Sequence, residues 1–72
     1  MQRFSRRRLV KLREGAGLTR HQLASEIGCS YSTVMAYELG NNVPRVRHLT
    51  AVADVLGVPV GELFEGRPKV RR

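Results

Sequence analysis

The chain has 72 residues, of which 42% are hydrophobic and 6% aromatic. This length accommodates one domain with a small core, and the apolar content is too high for a disordered tail. A single cysteine, Cys29, excludes an intrachain disulfide and a thiolate metal site built from this chain alone, which favours a reducing cytoplasm. No apolar run approaches the ~18 residues of a membrane span, and no secretory signal is evident.

The net charge points to a polyanionic partner. Thirteen Lys and Arg residues against six Asp and Glu residues give a formal charge of +7 and an isoelectric point near 11.1. The positive charge is concentrated in residues 1–20 and 67–72, whereas the stretch between them is slightly acidic. This distribution indicates nucleic acid first and an anionic membrane second.

The apolar pattern in the first half predicts two helices. Leu9, Leu12 and Ala16 share one helix face, so a first helix runs from an N-cap at Ser5 to Ala16. A capping box at residues 19–22 begins the second helix. The apolar side chains that the second helix is expected to bury are Leu23, Ala24 and Ile27.

A third helix follows a short turn at Gly28–Ser30. Ser30 is the expected N-cap, Val34 and Tyr37 face inward, and Gly40 ends the helix. Two short helices joined by so tight a turn cross at a steep angle, which leaves the third helix as a ridge that a major groove accepts. The outward side chains, which we expect to contact bases, are Tyr31, Ser32, Met35 and Ala36.

The second half predicts a fourth helix over residues 45–56 and a short last helix that starts near Pro59 and buries Leu63. The apolar stripe of the fourth helix comprises Val46, Leu49, Val52, Ala53 and Leu56. No period-two alternation is evident, so we predict an all-α fold without a sheet. Residues 1–66 are assigned to the domain and residues 67–72 to a flexible basic tail.

A series of short motifs spans residues 9–64 without a gap. In chain order they are Leu9-x-x-Leu12-Arg13, Gly17-Leu18-Thr19, Leu23-Ala24-x-x-Ile27-Gly28, Ser30-x-Ser32-Thr33-Val34, Tyr37-Glu38-x-Gly40, Pro44, Leu49-x-x-Val52-Ala53-x-x-Leu56-Gly57-Val58 and Glu62-Leu63-Phe64. In these motifs the chain resembles the lambda-repressor-like helix-turn-helix family of Xre and Cro types. The resemblance implies a compact five-helix fold that binds operator DNA, usually as a dimer, with the third helix in the major groove.

The resemblance also implies roles for individual residues. It implies a structural ion pair between Arg13 and Glu38, which ties the first helix to the third. Relatives commonly have Gln where this chain has Arg20, so we expect Arg20 to bind phosphate beside Tyr31, on whose ring it can stack. The third helix carries no positive charge, and phosphate affinity must come from elsewhere. The expected phosphate contacts are Thr19, Arg20, Thr33, Asn42, Arg45, Arg6 and Arg7.

These features predict a sequence-specific duplex-DNA-binding regulator, a repressor that occupies a palindromic operator as a homodimer formed near residues 58–64. We expect it in the cytoplasm, associated with the nucleoid when bound to DNA. No nucleophile–base set, phosphate loop or cofactor motif is visible, so we predict no enzymatic activity and no cofactor. His21 and His48 have no partner ligands nearby in sequence and are interpreted as surface residues rather than as metal ligands.

Two other interpretations stay open at this point. An antitoxin-like or cofactor-bridging module would bind mainly another protein and DNA only secondarily, and a fixed partner on purification would favour it. A basic membrane-surface or RNA-binding peptide is the second alternative, although the apolar stripe of the first helix is needed for the core. The basic run at residues 6–8 is either a solvated face or a phosphate-binding face.

Overall fold

The computed structural model describes residues 3–65, which form four α-helices, one 3-10 helix and a two-stranded sheet. The α-helices are α1 (Arg6–Gly15), α2 (Arg20–Ile27), α3 (Tyr31–Leu39) and α4 (Val46–Leu56), the 3-10 helix spans Val60–Leu63, and the strands are β1 (Arg3–Phe4) and β2 (Phe64–Glu65). The expected count of five helices is therefore wrong for the described residues. The last predicted helix is a 3-10 helix of four residues that follows Pro59 directly and buries Leu63.

Hydroxyl side chains cap the first three α-helices, as the sequence predicts. Ser5 Oγ accepts a hydrogen bond from the backbone N–H of Arg8 at 3.2 Å, and Ser30 Oγ accepts one from Thr33 at 3.2 Å. The capping box of α2 is complete. Thr19 Oγ1 accepts from the Gln22 N–H at 3.0 Å, and Gln22 Oε1 accepts from the Thr19 N–H at 2.8 Å. These bonds satisfy backbone donors that a helix start leaves free, and they fix where each helix begins.

Left-handed glycines end α2 and α3, also as predicted. Gly28 has φ +77° and Gly40 has φ +84°, a conformation that side chains with a Cβ rarely adopt. A Cβ at Gly40 would also lie 2.9 Å from Cδ of the flexible Arg6 side chain. The Arg6 side chain thus lies across the C-terminal end of α3, where a positive charge is favourable.

The core lies where α2 packs on α3 and α4, with α1 and the 3-10 helix closing it. Its buried apolar side chains are Leu9, Leu23, Ala24, Ile27, Val34, Tyr37, Leu49, Val52, Ala53 and Leu63. The inward orientation predicted for Val34 and Tyr37 is confirmed. Within residues 3–65, no helix combines the length and the apolar composition that crossing a membrane requires.

Two residues that the sequence pattern assigns to buried stripes are exposed. Ala16 lies at the C-cap of α1, beyond its last turn, and the buried position on that face belongs to Arg13. Val46, the first residue of α4, is 78% exposed. Periodicity places residues on a face but does not show where a neighbouring element stops covering it.

The prediction of no sheet is also wrong. β1 pairs antiparallel with β2, with Arg3 opposite Glu65 and Phe4 opposite Phe64. The Ser5 N–H extends the pairing by donating to the Leu63 carbonyl at 2.8 Å. Strands of two residues are too short to show alternation, which explains why the sequence does not reveal them. The tail predicted at residues 67–72 lies outside the described residues.

Candidate nucleic-acid interface

The outward side of α3 forms an uncharged, accessible stripe. Ser32 is exposed, and Met35 and Ala36 are half-buried. Leu39 is 57% exposed and extends the same face by one turn. It lies seven residues after Ser32, and residues at positions i, i+3, i+4 and i+7 share one helix face. The structure therefore brings three of the four expected base-contacting residues onto one face, whereas the fourth, Tyr31, turns towards α2.

A buried carboxylate ties α1, α2 and α3 together. The Glu38 side chain is 1% exposed, and its Oε2 lies 2.6 Å from Arg13 Nε. Arg13 Nη2 also donates to Glu38 Oε1 at 3.2 Å, and Arg20 Nε donates to the same oxygen at 2.7 Å. The ion pair that the family resemblance implies is thus present, and it includes a second guanidinium that the resemblance does not imply. Hydrogen bonds to Glu38 first, and to Tyr31 second, raise the pKa of Arg20 above its ordinary value.

Tyr31 is held from two sides at the start of α3. Arg20 Nη1 donates to Tyr31 Oη at 3.4 Å, so the expected proximity of these two residues is confirmed. The expected stacking partner is wrong. The ring of His21 stacks on Tyr31, with centroids 4.2 Å apart and planes inclined by 22°, while the Arg20 guanidinium bonds to Glu38 and to the Tyr31 hydroxyl. His21 is exposed, as predicted, yet one face of its ring is occupied.

The expected phosphate-binding residues fall into three groups around α3. The groups are Thr19 with Arg20 beside Tyr31, Thr33 with Asn42 and Arg45 between α3 and α4, and Arg6 with Arg7 beside Asn42. Arg3, which the sequence does not single out, lines the third hollow with Arg6 and Arg7. The first two hollows include residues of α3, and the third reaches Gly40 at its C-terminal end, so cationic or hydrogen-bonding groups lie on several sides of an uncharged stripe.

The hollow between α3 and α4 contains a hydrogen bond that the sequence does not reveal. Tyr37 Oη lies 2.7 Å from Nδ1 of His48, a residue interpreted from sequence as a surface histidine. His48 is instead half-buried and lines this hollow. Burial is the main cause that raises the pKa of the Tyr37 hydroxyl. The adjacent start of α4 has no side-chain cap at Arg45, so its first-turn N–H groups have no side-chain acceptor there.

Cys29 lies half-buried in the turn between α2 and α3. Burial raises the pKa of its thiol, which disfavours the reactive thiolate. The Cys29 side chain therefore packs against the core.

A family model described as a helix-turn-helix domain matches residues 6–65. The chain belongs to the helix-turn-helix domain family. This match covers most of the described residues and confirms the family predicted from the motifs in residues 9–64. Within the helix-turn-helix domain, α2 and α3 flank the turn at residues 28–30.

Three known proteins illustrate the range of relatives of this helix-turn-helix domain. The cryptic phage CTXphi transcriptional repressor RstR of Vibrio cholerae serotype O1 is 36% identical over 56 residues, which cover 78% of this chain and 50% of the repressor. The crystal structure of a transcriptional regulator from Listeria innocua matches 99% of this chain and 65% of its own, at 25% identity and a TM-score of 0.81.

The third relative is HppE, whose FeII form in complex with substrate is 32% identical with a TM-score of 0.73. The match covers 81% of this chain but 34% of the HppE chain. The chain therefore spans half the length of the curated repressor and about a third of HppE.

Proposed function

We propose that this helix-turn-helix protein is a sequence-specific duplex-DNA-binding transcriptional regulator that represses by occupying an operator. The observation that carries the proposal is the uncharged outward face of α3, bordered by three groups of cationic or hydrogen-bonding residues. Such an arrangement separates base readout from phosphate binding, as duplex recognition requires. The similarity to a phage repressor and to a transcriptional regulator supports the same class.

Readout of bases would depend on short-range contacts. The Ser32 hydroxyl can exchange hydrogen bonds with base edges, and Met35 and Ala36 can contact thymine methyl groups. Tyr31, which Arg20 and His21 hold towards α2, is a proposed base contact beside this face, at the start of α3. Phosphate contacts from the flanking groups would set the register of α3 but would carry no sequence information.

A homodimer on a palindromic operator belongs to this proposal. A single small module offers few contacts, and two copies would read half-sites about 34 Å apart. The segment expected to form the dimer contact includes Val60, which is 44% exposed. Sedimentation of the free chain and of its DNA complex tests this expectation, and a monomer in both states would contradict it.

The experiment that tests the function is selection of bound duplexes from a random pool. A recovered palindrome that binds more tightly than its scrambled counterpart is the expected result. Recovery without any enriched motif would overturn sequence-specific recognition. We assign no enzymatic activity to the chain, since its match to HppE is confined to 34% of that chain.

Ser32→Ala is expected to relax base preference by about 1–3 kcal/mol at the contacted base pair, because one hydrogen bond to a base edge is lost. Competition binding with single-base operator variants measures this change. Ser25→Ala is the matched control, since Ser25 is also exposed but lies on α2. Equal base preference in both variants would show that Ser32 does not contact a base.

Arg20→Ala is expected to weaken binding to all duplexes and to reduce the salt slope by about 0.9 for a lost phosphate contact. The slope of log affinity against log salt concentration measures the effect. Lys11→Ala removes the same charge from the exposed surface of α1, outside the basic run at residues 6–8, and serves as the control. An unchanged slope in Arg20→Ala would assign Arg20 solely to the bonds with Glu38 and Tyr31.

A further inference from the structure

The hollow between α3 and α4 is lined mainly by side chains that carry hydrogen-bond donors. Its lining residues are Thr33, Tyr37, Asn42, Val43, Arg45 and His48, none of which carries a carboxylate. Arg45 brings a full positive charge, whereas Thr33 and Asn42 bring a hydroxyl and an amide. A hollow of this composition suits an oxyanion.

The bond between Tyr37 and His48 determines which imidazole nitrogen carries the proton. Tyr37 is 5% exposed, and within residues 3–65 His48 Nδ1 is the one hydrogen-bond partner of its hydroxyl. If Nδ1 were protonated, it would donate to the Tyr37 oxygen, and the hydroxyl proton would need an acceptor other than His48. When the Tyr37 O–H donates to Nδ1, the proton of a neutral imidazole resides on Nε2.

We propose that His48 is a further phosphate-contacting residue and that Tyr37 is the positioning residue that keeps its imidazole as an Nε2–H donor. This inference rests on the proposed function, because the phosphate is taken to be one of the DNA backbone. With Nδ1 occupied by Tyr37, Nε2 is the ring nitrogen left for a ligand in the hollow. Arg45 supplies the charge at this site, and His48 supplies a directed neutral hydrogen bond.

Loss of a neutral hydrogen-bond donor and loss of a cation change the salt dependence of DNA binding differently. Loss of a cation that neutralises a phosphate reduces the salt slope by about 0.9, whereas loss of an uncharged donor weakens binding equally at every salt concentration. The contribution of His48 is thereby separable from that of Arg45. Base preference stays unchanged in either case, since phosphate contacts carry no sequence information.

The first measurement is made on the free wild-type chain at pH 8. Long-range ¹H–¹⁵N correlation spectra identify the protonated nitrogen of His48, and the expected result is the Nε2–H form in the wild type and a mixture of both forms in Tyr37→Phe. An Nδ1–H form in the wild type would overturn the inference. The same His48 signals are then followed on addition of duplex or of inorganic phosphate at equal ionic strength. A shift caused by the duplex alone assigns the ligand to the DNA backbone, and a shift that inorganic phosphate reproduces overturns that assignment.

The second measurement is binding to the selected duplex over a range of salt concentrations at pH 8. We expect His48→Ala to bind about tenfold more weakly with an unchanged salt slope, since a hydrogen bond to a charged group is lost. His48→Gln, which retains a donor near the Nε2 position, is expected to recover most of the affinity, and Tyr37→Phe to lose part of it. Thr50→Ala on the exposed side of α4 is the control, and thermal melting confirms that each variant is folded.

Two further outcomes separate this inference from the proposed function. Unchanged affinity in His48→Ala, or a reduced salt slope, would overturn the neutral phosphate contact while the wild type still binds its duplex. Failure of the wild type to bind any duplex would overturn the proposed function, and the inference with it. If Tyr37→Phe does not fold, the His48 variants and the wild-type spectrum still decide the question.

Discussion

Glu38→Ala is expected to destabilise the domain by about 3–5 kcal/mol, because it removes the partner of a buried charge. The Glu38 carboxylate accepts hydrogen bonds from both Arg13 and Arg20, and it is nearly inaccessible to solvent. The substitution leaves the buried Arg13 guanidinium without its counterion and releases Arg20 from its fixed position beside Tyr31. Thermal and urea unfolding measure the change in the free energy of unfolding.

The matched control for this prediction is Glu26→Ala, since Glu26 is an exposed carboxylate on α2. An exposed substitution of this kind is expected to change stability by no more than about 0.5 kcal/mol. If Glu38→Ala stays as stable as the control but loses DNA binding, Glu38 would belong to the recognition surface, and its assignment as a structural residue would be contradicted.

Leu63→Ala is expected to destabilise the domain by about 2–5 kcal/mol, the range for truncating a buried leucine. Leu63 is fully buried in the 3-10 helix, and its carbonyl accepts the Ser5 N–H just before α1. The cavity left by the truncation would therefore weaken the packing of the 3-10 helix and its connection to the start of α1. Urea unfolding followed by circular dichroism measures the effect.

Val60→Ala tests whether the loss comes from core packing. Val60 lies in the same 3-10 helix but is partly exposed, so the same kind of truncation is expected to have an effect near 0.5 kcal/mol. Similar losses of stability in the two variants would mean that any truncation in the 3-10 helix destabilises the domain. Burial of Leu63 would then not be the cause.

Helix boundaries were predictable because their determinants are local. The capping box at residues 19–22, the N-cap hydroxyls of Ser5 and Ser30 and the glycines at residues 28 and 40 act on backbone groups within one turn. The family match over residues 6–65 confirms the helix-turn-helix family that the sequence motifs predict. Ala16 and Val46 were predicted to be buried but are exposed, and both lie at helix ends. The apolar periodicity continues to these ends, whereas the packing against other elements does not.

Side-chain contacts between helices were less predictable. The bonds of Glu38 with Arg20 and of Tyr37 with His48 join residues on different helices, and no spacing within either helix signals them. The stacking of His21 on Tyr31 depends on the angle between α2 and α3 and on the prior engagement of Arg20. The grouping of the expected phosphate contacts around α3 likewise follows from packing. Their contact with DNA stays a prediction.

The small antiparallel sheet has a consequence for the order of folding. Arg3 and Glu65 pair across almost the entire described chain, so their contact closes the longest loop in the domain. Loop-closure entropy grows with the length of chain enclosed, and contacts remote in sequence form after local ones have shortened the effective loop. The helices around the turn at residues 28–30 should therefore assemble first, and the two strands should join last and separate first.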